Sequence, residues 1–246
     1  MKKIVSMTNI HKHYNNQQVQ TLALQGVNMD IFEGEFVSIS GPSGCGKSTL
    51  LAIMGLMDTP SEGQYQIADT DTTNLSIDQR THIRNLHIGY VFQSFNLIDN
   101  LSVFANVALP LEHRGMGAAN IREKVEKVLK QVDMLHKKDY RPNQLSGGQQ
   151  QRIAIARALV GGPDLILVDE PTGNLDSKNG DQVMSLLEQL NKDGATIVMV
   201  THDSRYALCA SRQIQILDGQ IVTEQQLSDI ASTTSGNNEE TLKGAA

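Results

Sequence analysis

At 246 residues the chain is long enough for one large domain, or for one domain carrying a subdomain, with a sizeable core. Lys and Arg total 21 against 27 Asp and Glu, a formal charge of -6, which argues against a broad cationic face for nucleic acid. Its two cysteines, Cys45 and Cys209, exclude a disulfide framework and fit a reducing cytoplasm.

The chain opens MKKIVSMTNI, without the charged, apolar, then small-residue order of a secretory leader. In chain order the strand-like runs are EFVSIS at 35–40, IGYVF at 88–92, LILVD at 165–169, TIVMV at 196–200 and IQIL at 214–217. Continuous apolar runs of this length, separated by helical patterns, predict a mainly parallel sheet covered on both faces. Each is far too short to cross a bilayer, so any membrane role is expected to work through another chain. From Leu101 to Leu159 no strand-like run occurs, and Ile121, Val125, Val128, Leu129 and Val132 recur at helical spacing. An inserted helical subdomain is expected there, at about residues 95–160. A further helix is legible in Val183, Leu186, Leu187 and Leu190, with Asp176 or Ser177 placed to cap its first turn. The chain's end, TTSGNNEETLKGAA, has almost no apolar content; about 225–246 reads as a flexible tail after one domain over about 1–224.

GPSGCGKS, from Gly41 to Ser48, fits the P-loop pattern G-x-x-x-x-G-K-[ST] and stands between the strand EFVSIS and the apolar helix STLLAIMGL. Glycines let the backbone curl so that successive N–H groups and the helix N-terminus point at phosphate oxygens. Gly41, Pro42, Ser43, Gly44, Cys45, Gly46, Lys47, Ser48 and Thr49 form the candidate cradle, Lys47 bridging the β- and γ-phosphates of ATP and the Ser48 hydroxyl holding Mg2+. Cys45 is read as a small filler whose backbone matters. LILVDE puts Asp169 and Glu170 at the end of a buried strand, the edge at which doubly wound sheets bind ligands. Asp169 is expected to orient Mg2+ through water. Glu170 is expected to polarise the attacking water, because phosphoryl transfer needs alignment more than covalent help. For DE alone, a solvated acidic turn is the competing reading. His11, His13, His82, His87, His113 and His136 show no metal-ligand spacing, so no metal beyond Mg2+ is assigned.

LSGGQ at 145–149, shortly upstream of the strand ending in DE, resembles the signature of ATP-binding cassette (ABC) ATPases. The family's other motifs match in order: Tyr14 resembles the A-loop aromatic, Gln93 in VFQS the Q-loop glutamine, GNLD at 173–176 the D-loop, and His202 in VTHD the switch histidine. The resemblance runs from about Lys3 to Val222. It implies an α/β P-loop NTPase whose mainly parallel core sheet is joined by an antiparallel N-terminal β part and an inserted helical subdomain. It also implies adenine stacking on Tyr14, although a lone Tyr after a strand is often a surface or core aromatic. Gln93 would contact Mg2+ or the attacking water, His202 the γ-phosphate, and Asp176 both its own helix and the opposite site. Ser146, Gly147, Gly148 and Gln149 start a helix whose backbone N–H groups and one hydroxyl are offered to an anion. In the resembled family this loop is remote from its own chain's P-loop, which implies a head-to-tail homodimer with two shared ATP sites.

MGLMDTPSEG, VFQSFNLIDNLSVFANVALPL, SGGQQQRIAIARALV and DEPTGNLDS, with Asn174 in the D-loop, look most like the lipoprotein-releasing and macrolide-exporting branch. That resemblance implies a separate integral membrane permease as partner, a periplasmic adaptor reached through it and a place on the cytoplasmic face of the inner membrane; from the charge balance, no nucleic acid is expected as partner. In the family, permease helices dock beside the Q-loop, here along SFNLIDNLSVFANVALPLEHRGMG. Its Phe95, Leu97, Leu101, Val103 and Phe104 are either groove lining or subdomain core. The alternatives are a nutrient importer, which usually carries a regulatory domain, and a soluble ATPase on DNA or ribosomes, which tends to carry a long coiled coil or two cassettes. A regulator of peptidoglycan hydrolases in cell division shares the same motor.

Overall fold

In the computed structural model, which describes residues 1–16 and 19–222, the chain begins with two long strands, β1 (Lys3–Asn16) and β2 (Val19–Phe32). With β4 (Glu62–Ile67) and β5 (Thr70–Asp71) they form an antiparallel sheet of order β2-β1-β4-β5. The tail expected at 225–246 lies outside the described residues.

A second sheet contains β3 (Phe36–Ser40), β6 (Ile88–Val91), β7 (Leu165–Asp169), β8 (Ile197–Val200), β9 (Arg212–Leu217) and β10 (Gln220–Val222), in the order β10-β9-β3-β8-β7-β6. Every pairing is parallel except that of β9 with β10. The five apolar runs read from the sequence all become strands of this sheet. Those at its centre, β3, β7 and β8, are buried almost throughout, as strands covered on both faces must be.

Between these strands lie α1 (Lys47–Met54), α2 (Ile77–His87), α3 (Val103–His113), α4 (Ala118–Gln131), α5 (Gly147–Leu159), α6 (Ser177–Lys192) and the short α7 (Ser204–Ala207). From β6 to β7 the regular structure is entirely helical: α3, α4, two 3-10 turns at Leu135–Lys137 and Pro142–Gln144, and α5. The helical spacing read in 121–132 materialises in α4, which buries Ile121, Val125, Val128 and Leu129. α3 is capped by Ser102, and its buried Asn106 ties down the preceding loop: Oδ1 accepts from the Ile98 amide at 2.7 Å, and Nδ2 donates to the Ile98 and Ser102 carbonyls. Of the two candidate caps for α6, Asp176 acts, its Oδ1 accepting from the Asn179 amide at 2.9 Å.

Successive residues of a strand point to opposite faces, and the two hydrophobic clusters divide accordingly. Val37, Ile39, Leu165, Leu167, Val198 and Val200 pack with α1 and the antiparallel sheet. Phe36, Ile166, Val168, Ile197 and Met199 pack with α3 to α6 on the other side. No helix among the described residues is long and apolar enough to cross a membrane.

Candidate functional site

β3, β8, β7 and β6 are neighbours, and their C-terminal ends deliver in spatial order the loop from Gly41, His202, the pair Asp169–Glu170, and Gln93. Ile39 stands opposite Val200, and Val200 opposite Asp169, so the groups leave the sheet at one level. With strands about 4.8 Å apart, β3 and β7 are separated by roughly 10 Å. This is the edge at which an open parallel sheet receives a ligand.

The loop of Gly41, Pro42, Ser43, Gly44 and Cys45 ends at Gly46, the N-cap of α1, whose φ of 104° belongs to glycine. A Cβ there would sit 2.4 Å from the Ala23 carbonyl oxygen. No side chain caps α1, and its first internal bond runs from the Leu50 amide to the Gly46 carbonyl, leaving the amides of Lys47, Ser48 and Thr49 ahead of it. Buried Lys47 donates from Nζ to the carbonyls of Gly41 at 2.8 Å and Pro42 at 2.7 Å, so its ammonium spans the loop. An uncapped helix start beside a fixed cation matches phosphate chemistry.

Two strands away, burial and the neighbouring Glu170 carboxylate push the Asp169 carboxyl above its usual range, with Lys47 pulling it back. Glu170 adopts a φ of 43°, a left-handed conformation that costs a non-glycine residue about 1–2 kcal/mol. Its amide donates to the Val200 carbonyl at 3.0 Å and its carbonyl accepts from the Gly173 amide at 3.1 Å, which holds the turn. Glu170 Oε2 lies 3.0 Å from His202 Nδ1 and accepts from Gln93 Nε2 at 3.4 Å. The sequence-derived base, switch histidine and glutamine therefore meet at one carboxylate. His202 is 67% exposed, so its ring stays open to a ligand. Ser48, Gln93 and Asp169 present hard oxygen atoms at this edge, and a half-buried carboxylate beside a like charge is what a bound Mg2+ would offset.

Tyr14 stands inside β1, not after a strand. Its hydroxyl donates to Asp58 Oδ2 at 2.9 Å, and Lys12 Nζ, bonded to Asp58 Oδ1 at 2.7 Å, lies 4.9 Å from the ring centroid. The ring is thereby fastened to the segment following α1.

The second glycine-rich loop is built differently. Ser146 caps α5: its Oγ accepts from the Gln149 amide at 3.4 Å, and Gln149 Oε1 accepts from the Ser146 amide at 3.1 Å, a reciprocal capping box. The amides of Gly147 and Gly148 precede the first internal bond, from Gln150 to the Ser146 carbonyl. A Cβ on Gly148 would meet Asn179 Oδ1 at 2.6 Å, and one on Gly147 would meet Leu175 Cδ2 at 3.2 Å and Phe95 Cζ at 3.6 Å. Gly147 thus lies against the segments that follow Gln93 and precede α6, and Gly148 against the first turn of α6, with no P-loop atom among their nearest neighbours.

A groove of about 600 Å3 opens between α2, β6, α3 and the end of α5, lined among others by Arg84, Tyr90, Leu109, Pro110, Arg114 and Arg157. Of the stretch expected to line a docking groove, Leu109, Pro110, His113 and Arg114 line this cavity, whereas Phe95, Leu97, Leu101, Val103 and Phe104 do not. Val103 is in the core, and Phe95, Leu97 and Phe104 pack against it. Asp58, in MGLMDTPSEG, and Arg157, in SGGQQQRIAIARALV, fall within stretches that resemble the exporter branch, and sequence reasoning gave neither a role. It noticed Asn174 only as a branch marker, although Asn174 Nδ2 donates to the Gln93 carbonyl at 3.0 Å.

Uncapped loop, spanning lysine and carboxylate pair on one parallel edge define a P-loop nucleoside triphosphatase. Within that class the chain belongs to the ABC transporter family, whose model matches residues 24–173, and it is an ABC-type ATPase domain. It is 47% identical over 229 residues to the ABC transporter ATP-binding protein MJ0796 of Methanocaldococcus jannaschii, covering 91% of this chain and 97% of that protein. It is 44% identical to the macrolide export ATP-binding/permease protein MacB of Chlorobium luteolum, over 91% of this chain but 33% of MacB. The chain thus spans about a third of the MacB proteins it matches. A solved dimeric, post-hydrolysis structure of the MJ0796 cassette with ADP and Pi superposes with a TM-score of 0.82 at 46% identity, covering 89% of this chain and 97% of that one. The Clostridium perfringens cbiO1 structure, part of a cbiONQ transporter complex, gives 0.81 at 31% identity, covering 91% and 88% of the two chains.

Proposed function

We propose that this ATPase works as a head-to-tail homodimer on the cytoplasmic face of the inner membrane, driving a separate integral permease of the exporter or lipoprotein-release type. The similarity to MacB supports the branch, and the dimeric MJ0796 cassette supports the pairing. A periplasmic adaptor would join through the permease, and its groove partner would seat among Leu109, Pro110 and Arg114. The helical segment of about 95–160 is proposed as the subdomain that carries this groove and the signature loop.

The observation that carries the shared site is the position of Gly147 and Gly148 against Leu175, Phe95 and Asn179 of their own chain, away from their own P-loop. Their free amides and the α5 N-terminus are an anion site without a phosphate to bind unless a second copy supplies one. Within each chain the Gly41–Thr49 cradle holds the triphosphate, Lys47 meets the β- and γ-phosphates, and Tyr14 stacks on adenine. Ser48 and Gln93, with Asp169 through water, would hold Mg2+, which would supply positive charge against the phosphates. Glu170 accepts the proton of the attacking water, Gln93 aligns that water, and His202, braced by Glu170, faces the γ-phosphate. Asp176 keeps α6 capped at the border with the opposite site.

Glu170→Gln keeps the shape and removes the base, so turnover should fall about 100- to 10,000-fold while MgATP still binds. Size-exclusion chromatography of that variant with MgATP should show a dimer; a monomer would refute the shared site.

A further inference from the structure

The turn that carries Gln93 is held from two sides. Asn174 Nδ2 grips the Gln93 carbonyl at 3.0 Å. Beyond it, Phe95 and Asn96 adopt consecutive left-handed conformations, φ 61° and 49°, which Asn tolerates better than most side chains but which strain the bulky Phe95. Within the turn only the Phe95 amide to Phe92 at 3.2 Å and the Asn96 amide to Ser94 at 2.6 Å close backbone bonds. The outside support is Arg157, on α5 about three helical turns beyond Ser146. Its Nη1 donates to the Asn96 carbonyl at 2.5 Å and its Nη2 to the Phe95 carbonyl at 2.9 Å. A planar guanidinium suits two adjacent acceptors, which a lysine ammonium does not match.

We propose that Arg157 is a positioning residue for hydrolysis: its fork holds the Phe95–Asn96 turn left-handed and thereby sets where Gln93 meets Glu170. Because Arg157 and Ser146 share one helix, the same pin ties the placement of Gln93 in one chain to the loop that this chain offers its partner. The side chain is not within the reacting groups, and its effect passes through the backbone of residues 93–96.

This inference rests on the reading of Glu170 and Gln93 as the hydrolytic pair, so Glu170→Gln is measured alongside. Steady-state hydrolysis by the full chain would be followed in Arg157→Ala and Arg157→Lys, with the MgATP dependence resolved. For Arg157→Ala we expect kcat to fall about 100-fold, the scale of a misplaced reacting group, with KM within about twofold. Arg157→Lys should fall in between. Adding Asn96→Gly to Arg157→Ala should recover about tenfold, because glycine holds a left-handed backbone unaided; a purely structural role for Arg157 would not be rescued there. Should the alanine variant fail to fold, Arg157→Lys with and without Asn96→Gly gives the same comparison. Wild-type kcat in Arg157→Ala, or no recovery with Asn96→Gly, overturns the pin. Wild-type turnover in Glu170→Gln overturns instead the hydrolytic reading beneath it.

Discussion

The P-loop and the signature loop are both short, glycine-rich and followed by a helix, yet they use glycine for opposite reasons. At Gly46 the backbone is left-handed and leaves no room for a Cβ, so glycine is required by conformation as well as space. At Gly148 no positive φ is involved, and glycine is required only because Asn179 Oδ1 stands 2.6 Å from where a Cβ would be. The helix ends differ in the same sense. α1 has no side-chain cap and leaves its first amides to a ligand, while α5 is closed by Ser146 and Gln149 and leaves only two. One loop leaves its helix start open toward the strand edge; the other is a finished helix start with Ser146 exposed and Gly148 buried against Asn179.

The strongest way to break this contrast is to disable one loop in each of two chains. Lys47→Ala should lose the P-loop's cation, and Ser146→Arg should fill the outward site, each dropping turnover by about 100-fold or more on its own. Mixed in equal amounts, the two variants form dimers with one intact composite site, and turnover should return to about a quarter of wild type. A mixture as inactive as its parts would mean that the two loops do not serve one nucleotide.

Next in size, Gly46→Ala should destabilise the fold by about 1–3 kcal/mol in thermal unfolding and abolish nucleotide binding. Gly148→Ala should cost less, since better helix propensity offsets about 1 kcal/mol of the displacement of Asn179, and should impair hydrolysis without touching binding. Equal effects of the two would erase the distinction. Ser146→Ala removes the cap together with the hydroxyl offered to the anion, and should lower stability by about 1 kcal/mol, read from chemical denaturation.

The smallest effect concerns Asp169. Its raised pKa means the folded chain keeps a proton that the unfolded chain has released in the window between the usual carboxylate range and the raised value. Unfolding free energy therefore falls as pH rises through that window and is flat above it. Without nucleotide, Asp169→Asn should remove this slope and melt slightly higher at neutral pH, in melting curves taken at about pH 4–8.

Much of this contrast was legible in the sequence, for identifiable reasons. The five parallel-sheet strands are uninterrupted apolar runs, and Lys47, Glu170, Gln93 and His202 sit in ordered motifs. β1 was not read from periodicity: its pairing with β2 shifts register between Met7 and Ile10 and again at Ile10 to His13, and Asn9 turns left-handed, so alternation is broken. α2 was not read because it buries no residue and shows no apolar stripe. Asp58, Asn174 and Arg157 act on a phenol hydroxyl or on backbone carbonyls contributed by distant segments, and a side chain that grips a carbonyl leaves no trace in the identity of its partner.

The division of each central strand between two hydrophobic clusters has a mechanical meaning. Ile166 and Leu167 are chain neighbours that belong to separate interiors, so the six-stranded sheet is a partition with little side-chain traffic through it. Were α3 to α5 to tilt, the displacement would reach the far side mainly at the sheet's rim, where Gln93, Glu170 and His202 emerge beside the nucleotide cradle.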